Sequence, residues 1–463
     1  MNRISLVTGE AGTGKTTWLM DRMREYAPQF ITTQYRKVLA ITRMHGARRR
    51  VDMKLRQSDP GIQYSVSTID GFALSIVNRW RMSLGCMKPV HAVDGNVDFV
   101  DAIYSIDADF GKVLRTATQL MKSPTVRRII GESYPLVLID EFQDCHSHIL
   151  EFVKTLSTSS TLVLAADDFQ LLDTSVPGCP AVDWVTALQK EGAASVTELT
   201  TCHRTSVQSI LAAARCLRNN VRSDVATIPL ICCQNEGPVA WKIIEALIFN
   251  SSPWRGTTAL ICPSHDPFLN KVFTSCDNQL KRKNLSVIQW HEELTTEEER
   301  KKIRRSLGLT SNDARMDTEW NSPSALTDPV ANHIVSRTLQ FARLRGIQPI
   351  HHELVTRQLD TALHEKRAYS THFPSKTVTT VHGAKNREFD NVFILWTYKL
   401  PPDRTQQRRL LYNAVTRSKQ NCMVLVWGDV ARAQSDPVLS LLGPPRPAFQ
   451  QRVKRRARSA RGI

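Results

Sequence analysis

Eight residues near the amino end carry the strongest chemical signal in the chain. Gly9-Glu10-Ala11-Gly12-Thr13-Gly14-Lys15-Thr16 is a G-x-x-x-x-G-K-[ST] loop, with the apolar run Ile4–Val7 before it and the amphipathic stretch Thr16–Glu25 after it. A strand before and a helix after is the context this loop requires. The glycines let backbone N–H groups turn inward around phosphate oxygens, and the helix adds its positive amino end. Lys15 suits the β- and γ-phosphates of a nucleoside triphosphate, Thr16 suits Mg²⁺, and Thr17 completes the binding set. Val137-Leu138-Ile139-Asp140-Glu141 supplies the other half, an apolar strand ending in two acids. Asp140 suits a direct or water-mediated Mg²⁺ contact. Glu141, just past the strand, can orient and deprotonate an attacking water. An apolar strand followed by Asp-Glu means little alone, and much more when a phosphate loop precedes it.

These residues need a scaffold of buried strands. Short apolar runs without polar alternation occur at Ile4–Val7, Val38–Thr42, Val137–Ile139, Leu162–Ala165, Ala259–Cys262, Thr377–Val381, Val392–Leu395 and Met423–Val426. Such runs suit parallel strands covered on both faces, and amphipathic stretches such as Ser206–Leu217 lie between them. The reading is an α/β protein with two parallel sheets. Residues 79–132 and 277–374 lack the strand–helix rhythm and read as mostly helical insertions into the α/β domains. The acid-then-base run Glu292–Arg305 reads as a solvated helix face.

The chain has 463 residues, 61 Lys+Arg against 44 Asp+Glu, and a formal net charge of +17. That balance points to a polyanionic partner, nucleic acid being the commonest soluble one. From Arg446 to Ile463 there are seven bases and no acid. Ten scattered cysteines without a C-x-x-C argue against a zinc ribbon or a disulfide framework. No secretory leader and no membrane-spanning run is evident, so an intracellular setting without a membrane partner is expected.

The remaining motifs fall in the order of a known family. DEFQD (Asp140–Asp144) resembles motif II of the UvrD/Rep group of superfamily 1 helicases. VLAITRMHGARR (Val38–Arg49) resembles motif Ia, and STIDGFAL (Ser67–Leu74) the T-[FI]-x-x-F element after it. ADDFQ (Ala166–Gln170) resembles motif III and LTTCHRTS (Leu199–Ser206) motif IV. TVHGAKNREFD (Thr380–Asp390) resembles motif V, and RRLLYNAVTRSK (Arg408–Lys419) motif VI.

The resemblance implies two RecA-like domains with ATP and Mg²⁺ held between them. It makes Gln170 a sensor of the γ-phosphate, Arg204 and Arg417 cations for the transferring phosphoryl group, and Glu388 an acceptor for a ribose hydroxyl. A fixed guanidinium there is worth as much as about 10³–10⁵ in rate. Thr42, Arg43, Thr68, Thr380 and His382 fall where the family contacts single-stranded DNA. A lone histidine is more often a satisfied core residue, and His382 is set against that reading by its motif. Trp80, Trp184 and Trp396 are aromatic candidates for base stacking outside the matched positions, although core packing is the commoner use of tryptophan.

The layout expected is a first RecA-like domain over 1–202 with its insertion at about 79–132, and a second over 203–276 plus 375–443. An accessory insertion occupies 277–374 and a basic tail 444–463. Five departures stand out. The phosphate loop begins at the ninth residue, so the family's adenine-reading glutamine motif is expected to be missing. His203 replaces the adenine-stacking tyrosine, Arg43 an aromatic of motif Ia, and Asn386 the motif V glycine. After motif III, Leu171-Leu172-Asp173 replaces a familiar stacking platform. Weak discrimination between ATP and GTP is expected. The function implied is an ATP-driven single-stranded DNA translocase and 3′–5′ helicase acting on DNA junctions with replication, repair or nuclease partners. The alternatives are a DNA-stimulated ATPase that loads or remodels without unwinding, and the motor of a nuclease complex. A P-loop kinase has no need of motifs V and VI.

Overall fold

The computed structural model describes residues 3–42, 45–58, 61–102, 104–173, 177–264, 266–292, 296–309, 319–322, 326, 328–369 and 374–449. The chain divides into two compact units, Met1–His203 with Leu294–Phe373, and Arg204–Glu293 with Pro374–Ile463.

The first unit is built on a six-stranded sheet. Its strands are β1 (Ile4–Gly9), β2 (Val38–Thr42), β3 (Tyr64–Thr68), β7 (Leu136–Ile139), β8 (Thr161–Ala166) and β9 (Ala194–Leu199), in the order 3-2-7-8-1-9. Every pairing is parallel. β2, β7 and β8 are buried at every residue, as strands covered on both faces must be. The edge strands β3 and β9 are only partly buried. Leu39, Ile41, Val137, Ile139, Leu162 and Leu164 face one apolar layer, and Val38, Ala40, Leu136, Leu138, Val163 and Ala165 face the other. That alternation is the period-two geometry of a strand.

Residues 79–132 depart from the mostly helical expectation. Between Trp80 and the helix Phe110–Met121 lies a small sheet of β4 (Val90–Val93), β5 (Val100–Asp101) and β6 (Ile106–Asp109), ordered 4-6-5. These strands are short, β4 and β6 only partly buried and β5 exposed, with Asp and His interleaved, so no apolar run marks them. The helices Phe110–Met121 and Pro124–Ser133 follow as the pattern of Leu114, Ala117 and Met121 requires.

Leu294–Phe373 interrupts the second unit in sequence but packs with the first. Its helices Thr296–Ser306, Pro329–Arg345 and His352–Tyr369 enclose a core of Ile303, Leu307, Trp320, Ile334, Val355 and Leu359. Polar ties join it to the small sheet. Glu353 Oε1 accepts from the Tyr104 backbone N–H at 3.3 Å, and Arg357 contacts Ser105, Asp107 and Glu353. Residues 277–292 remain with the second unit, completing the helix Phe268–Lys281 and forming β12 (His291–Glu292).

The second unit carries a seven-stranded, all-parallel sheet. β10 (Leu230–Cys233), β11 (Thr258–Cys262), β12, β13 (Lys376–Thr380), β14 (Phe389–Trp396), β15 (Ser418–Trp427) and β16 (Arg446–Pro447) run in the order 12-13-11-14-15-10-16. Leu260, Val378, Phe393, Leu395 and Leu425 pack with the helices Glu236–Ile244 and Phe268–Lys281. Trp396 lies in this unit fully buried, which removes it as a base platform. The fold is α/β with two RecA-like parallel-sheet domains. No helix among the described residues is long and apolar enough to cross a membrane.

Candidate functional site

Parallel strands deliver their carboxyl ends to one edge of a sheet, and loops there collect functional residues. In the first unit that edge holds Thr68, Thr42, Asp140, Ala166 and Gly9 at the ends of β3, β2, β7, β8 and β1. The phosphate loop leaves β1 at Gly9. A Cβ on Gly9 would stand 2.6 Å from the Leu199 carbonyl oxygen and 2.7 Å from Thr13 Oγ1, so only glycine lets β9 and the loop close there. Gly14, at φ 87°, caps the helix Lys15–Phe30 in a left-handed conformation that glycine adopts without strain. Thr13, almost fully buried, ties the loop to itself by donating Oγ1 to the Glu10 carbonyl at 2.9 Å. Ala11 is buried and Gly12 accepts the His203 N–H at 2.8 Å.

Lys15 folds back over its loop and donates Nζ to the Gly9 and Glu10 carbonyls, each at 2.8 Å. The buried Asp167 carboxylate stands 3.9 Å from the same ammonium. Thr16 Oγ1 donates to Asp140 Oδ2 at 3.0 Å, while Thr17 is exposed. Burial pushes the Asp140 carboxyl above its ordinary range, and the adjacent Glu141 charge adds to the shift. Thr16 and Lys15 oppose it. Thr16 and Asp140 present only oxygen donors, one hydroxyl and one carboxylate, which is the chemistry a hard divalent cation takes. The pair fits Mg²⁺.

Glu141 leaves β7 in a left-handed backbone conformation, φ 58°, which turns the chain into the short helical turn Phe142–Asp144. Two residues that motif reading left without roles meet here. Gln143, with no exposed surface, donates Nε2 to Glu141 Oε2 at 2.5 Å and accepts the Asp167 N–H on Oε1 at 3.0 Å. Asp167 in turn accepts from Gln170 Nε2 at 2.9 Å. Their place inside DEFQD and ADDFQ was visible, but a buried bridge between two loops needs three dimensions to be seen. Gln170 itself is buried, at the end of β8.

His203 is exposed beside the phosphate loop. A Cβ on Gly14 would lie 3.7 Å from its Cδ2, and Cys202 Sγ donates to the Ala11 carbonyl at 3.6 Å. Thr42 and Thr68 are register partners at the ends of β2 and β3, and both are buried. Thr68 Oγ1 caps the helix Ile69–Arg79 by accepting from Gly71 N at 3.1 Å. Arg43 lies outside the described residues. Trp80 carries the Arg79 guanidinium over its ring at 5.1 Å, and Trp184 packs on Phe142 at 6.2 Å.

The second unit has two groups of its own. At the amino ends of β14 and β15, Arg204 donates Nε to Glu388 Oε1 at 3.0 Å and Nη1 to the Thr416 carbonyl at 2.8 Å. Lys419 approaches Glu388 Oε2 at 3.2 Å, a second cation on that carboxylate that motif reading did not single out. Arg417 is buried, with Nε on the Asn413 carbonyl at 3.0 Å and Nη2 on Thr416 Oγ1 at 3.4 Å. At the carboxyl end of β13, Thr380 Oγ1 accepts from Gly383 N at 3.1 Å and His382 is exposed. The stretch between them and Glu388 crosses from the carboxyl edge to the amino edge of the sheet. Within it, Asn386 stands at φ 64°, so the asparagine occupies a conformation that a glycine would take freely and asparagine tolerates.

Comparisons with known proteins agree with this arrangement. An AAA domain model matches residues 1–175, covering the phosphate loop and the ends of β7 and β8. The UvrD-like helicase C-terminal domain model matches residues 376–425, covering β13, β14 and most of β15. No curated protein matches the sequence significantly. Among solved structures the chain is similar to a Pif1 helicase from Bacteroides in complex with ADP-AlF3 and single-stranded DNA. The identity is 13%, over 96% of this chain and 91% of that one, with a TM-score of 0.38. It is also similar to the Arterivirus nonstructural protein 10 helicase with DNA, at 11% identity over 95% and 63% of the two chains and a TM-score of 0.33. Both family models fall on the loops and strands that carry the motifs, so the chain is an ATP-hydrolysing, helicase-type enzyme with an AAA domain and a UvrD-like helicase C-terminal domain.

Proposed function

We propose that the protein is an intracellular, Mg²⁺-dependent, ATP-driven translocase on single-stranded DNA that separates strands with 3′–5′ polarity at DNA junctions. One observation carries this reading: Lys15, Thr16, Asp140, Glu141, Asp167 and Gln170 meet at one edge of a sheet whose next two strands end in Thr42 and Thr68. Triphosphate chemistry and strand contact thus share one rigid support.

In hydrolysis, Lys15 exchanges its two loop carbonyls for the β- and γ-phosphates, with the amino end of the helix Lys15–Phe30 behind them. Thr16 and Asp140 hold Mg²⁺, which supplies positive charge to the phosphate oxygens when bound. Glu141 takes the proton of the attacking water, and Gln170 reads the γ-phosphate. Arg204 and Arg417 supply cations for the developing charge and Glu388 a ribose acceptor. Thr380 and His382 serve the strand, and the short crossing from His382 to Glu388 links strand contact with the nucleotide residues of its own unit.

A second reading is an ATPase that loads or remodels DNA complexes without processive unwinding. It is favoured by Leu171 and Leu172, which are buried where a stacking platform would be exposed. Duplexes with a single-stranded tail on one side, run beside ATPase assays with and without single-stranded DNA, separate the two. Unwinding from the 3′ tail alone is the expected result. Unwinding from the 5′ tail alone overturns the polarity, and DNA-stimulated ATPase without displacement selects the second reading.

A further inference from the structure

Glu141 lies beyond the end of β7 in a left-handed conformation, so no regular secondary structure fixes where its carboxylate points. Gln143 does. Its amide is gripped at both ends, by Glu141 Oε2 at 2.5 Å and by the Asp167 N–H at 3.0 Å. The amide orientation is forced, because a flipped amide would face oxygen with oxygen and N–H with N–H. The Gln143 backbone is held too, its carbonyl accepting Cys179 Sγ at 3.9 Å and its neighbour Phe142 lying fully buried. A buried polar side chain calls for partners that justify its desolvation. Satisfying the Asp167 N–H needs only an acceptor, so the donor half aimed at Glu141 is surplus to any packing role.

We propose that Gln143 is a positioning residue for hydrolysis. It rests on the reading of Glu141 as the base that takes the water proton. Gln143 holds that carboxylate in one orientation and ties it to the loop after β8. In that loop the Asp167 carboxylate grips Gln170 and stands 3.9 Å from Lys15. A shift of this loop when Lys15 or Gln170 engages phosphate is therefore passed to Glu141 through the Gln143 amide.

The test is a double-mutant cycle in the full chain with saturating single-stranded DNA, measuring kcat and KM for ATP together with thermal unfolding. Gln143→Met keeps the length and removes both polar ends. Gln143→Glu keeps the acceptor for Asp167 and serves if the methionine variant does not fold. The expected result is a kcat lowered about 10–100-fold, the scale of a misplaced reacting group, with KM within about threefold of the parent. In a Glu141→Gln background the same change should cost nothing further, since residues acting through one another are not additive. An unchanged kcat, or a full-sized additional loss in the Glu141→Gln background, overturns the proposal. Wild-type turnover by Glu141→Gln alone removes the underlying reading instead, and that result is read from the single variant.

Discussion

Lys15 and Glu141 stand at the same sheet edge yet should fail in different ways when changed. Lys15→Ala removes the one ammonium set among the loop carbonyls, so nucleotide binding and turnover should fall together. Glu141→Gln changes a single carboxylate oxygen and leaves Thr16, Asp140 and the loop in place. ATP affinity should therefore persist while kcat drops about 10²–10⁴-fold, the range of a lost general base. Fluorescent-nucleotide titration beside steady-state ATPase distinguishes the two patterns. At this scale the sequence was informative where type and spacing bring residues together, as with Lys15 over its loop and Thr16 on Asp140. It was silent where a residue acts through a distant neighbour. Gln143 and Asp167 are 24 positions apart, and nothing in either pattern announces that they bond. Trp396 shows the opposite failure, a residue type suited to stacking that the end of β14 buries completely.

Among elements, legibility followed burial. β2, β7, β8 and β11, buried throughout, were readable as apolar runs. The edge strands β3 (YSVST) and β9 (ASVTEL) carry serines, threonines and an acid because their incompletely buried positions tolerate them. β4 and β6 were hidden by charged and polar residues, His91 and Asp107, that face the helix His352–Tyr369. That joint also makes a pH prediction. His91, on β4, is partly buried near Asp107 of β6, with Arg357, Glu353 and Asp360 from the facing helix around it. Burial, then the Arg357 charge, lowers the His91 pKa below its ordinary value, against the pull of the three acids. The folded state thus binds fewer protons than the unfolded one. The contribution to stability is complete above about pH 6.5 and is lost as pH falls through the lowered folded value. Thermal melts of the parent should weaken across that window more steeply than those of His91→Gln. Equal pH slopes would assign the loss to other groups.

For the whole molecule, charge and chain path are the relevant quantities. The surplus of 17 positive charges is densest in the tail, where Arg452, Lys454, Arg455, Arg456, Arg458 and Arg461 lie outside the described residues. If these bases meet phosphates of a single strand, each adds about 0.7 to the slope of log K against log salt. Removing Gln450–Ile463 should then flatten that slope by up to about four, with DNA-saturated ATPase little changed. An unchanged slope would mean the tail does not touch DNA. The basic excess was legible from composition. The path of the chain was not, because 277–374 reads as one insertion and is divided between two units. Asp107 in the small sheet and Ser105 just before it, both met by Arg357, reveal where the larger part belongs.

That division has a genetic consequence. Neither unit is encoded by an uninterrupted stretch, since residues of the first reappear after 293 and residues of the second after 373. A gene fragment ending at His203 yields the complete six-stranded sheet but lacks Glu353 and Arg357, which meet Tyr104, Ser105 and Asp107. A fragment beginning at Arg204 carries those residues to the wrong product. A single cut anywhere in the gene therefore parts residues that pack together in one unit.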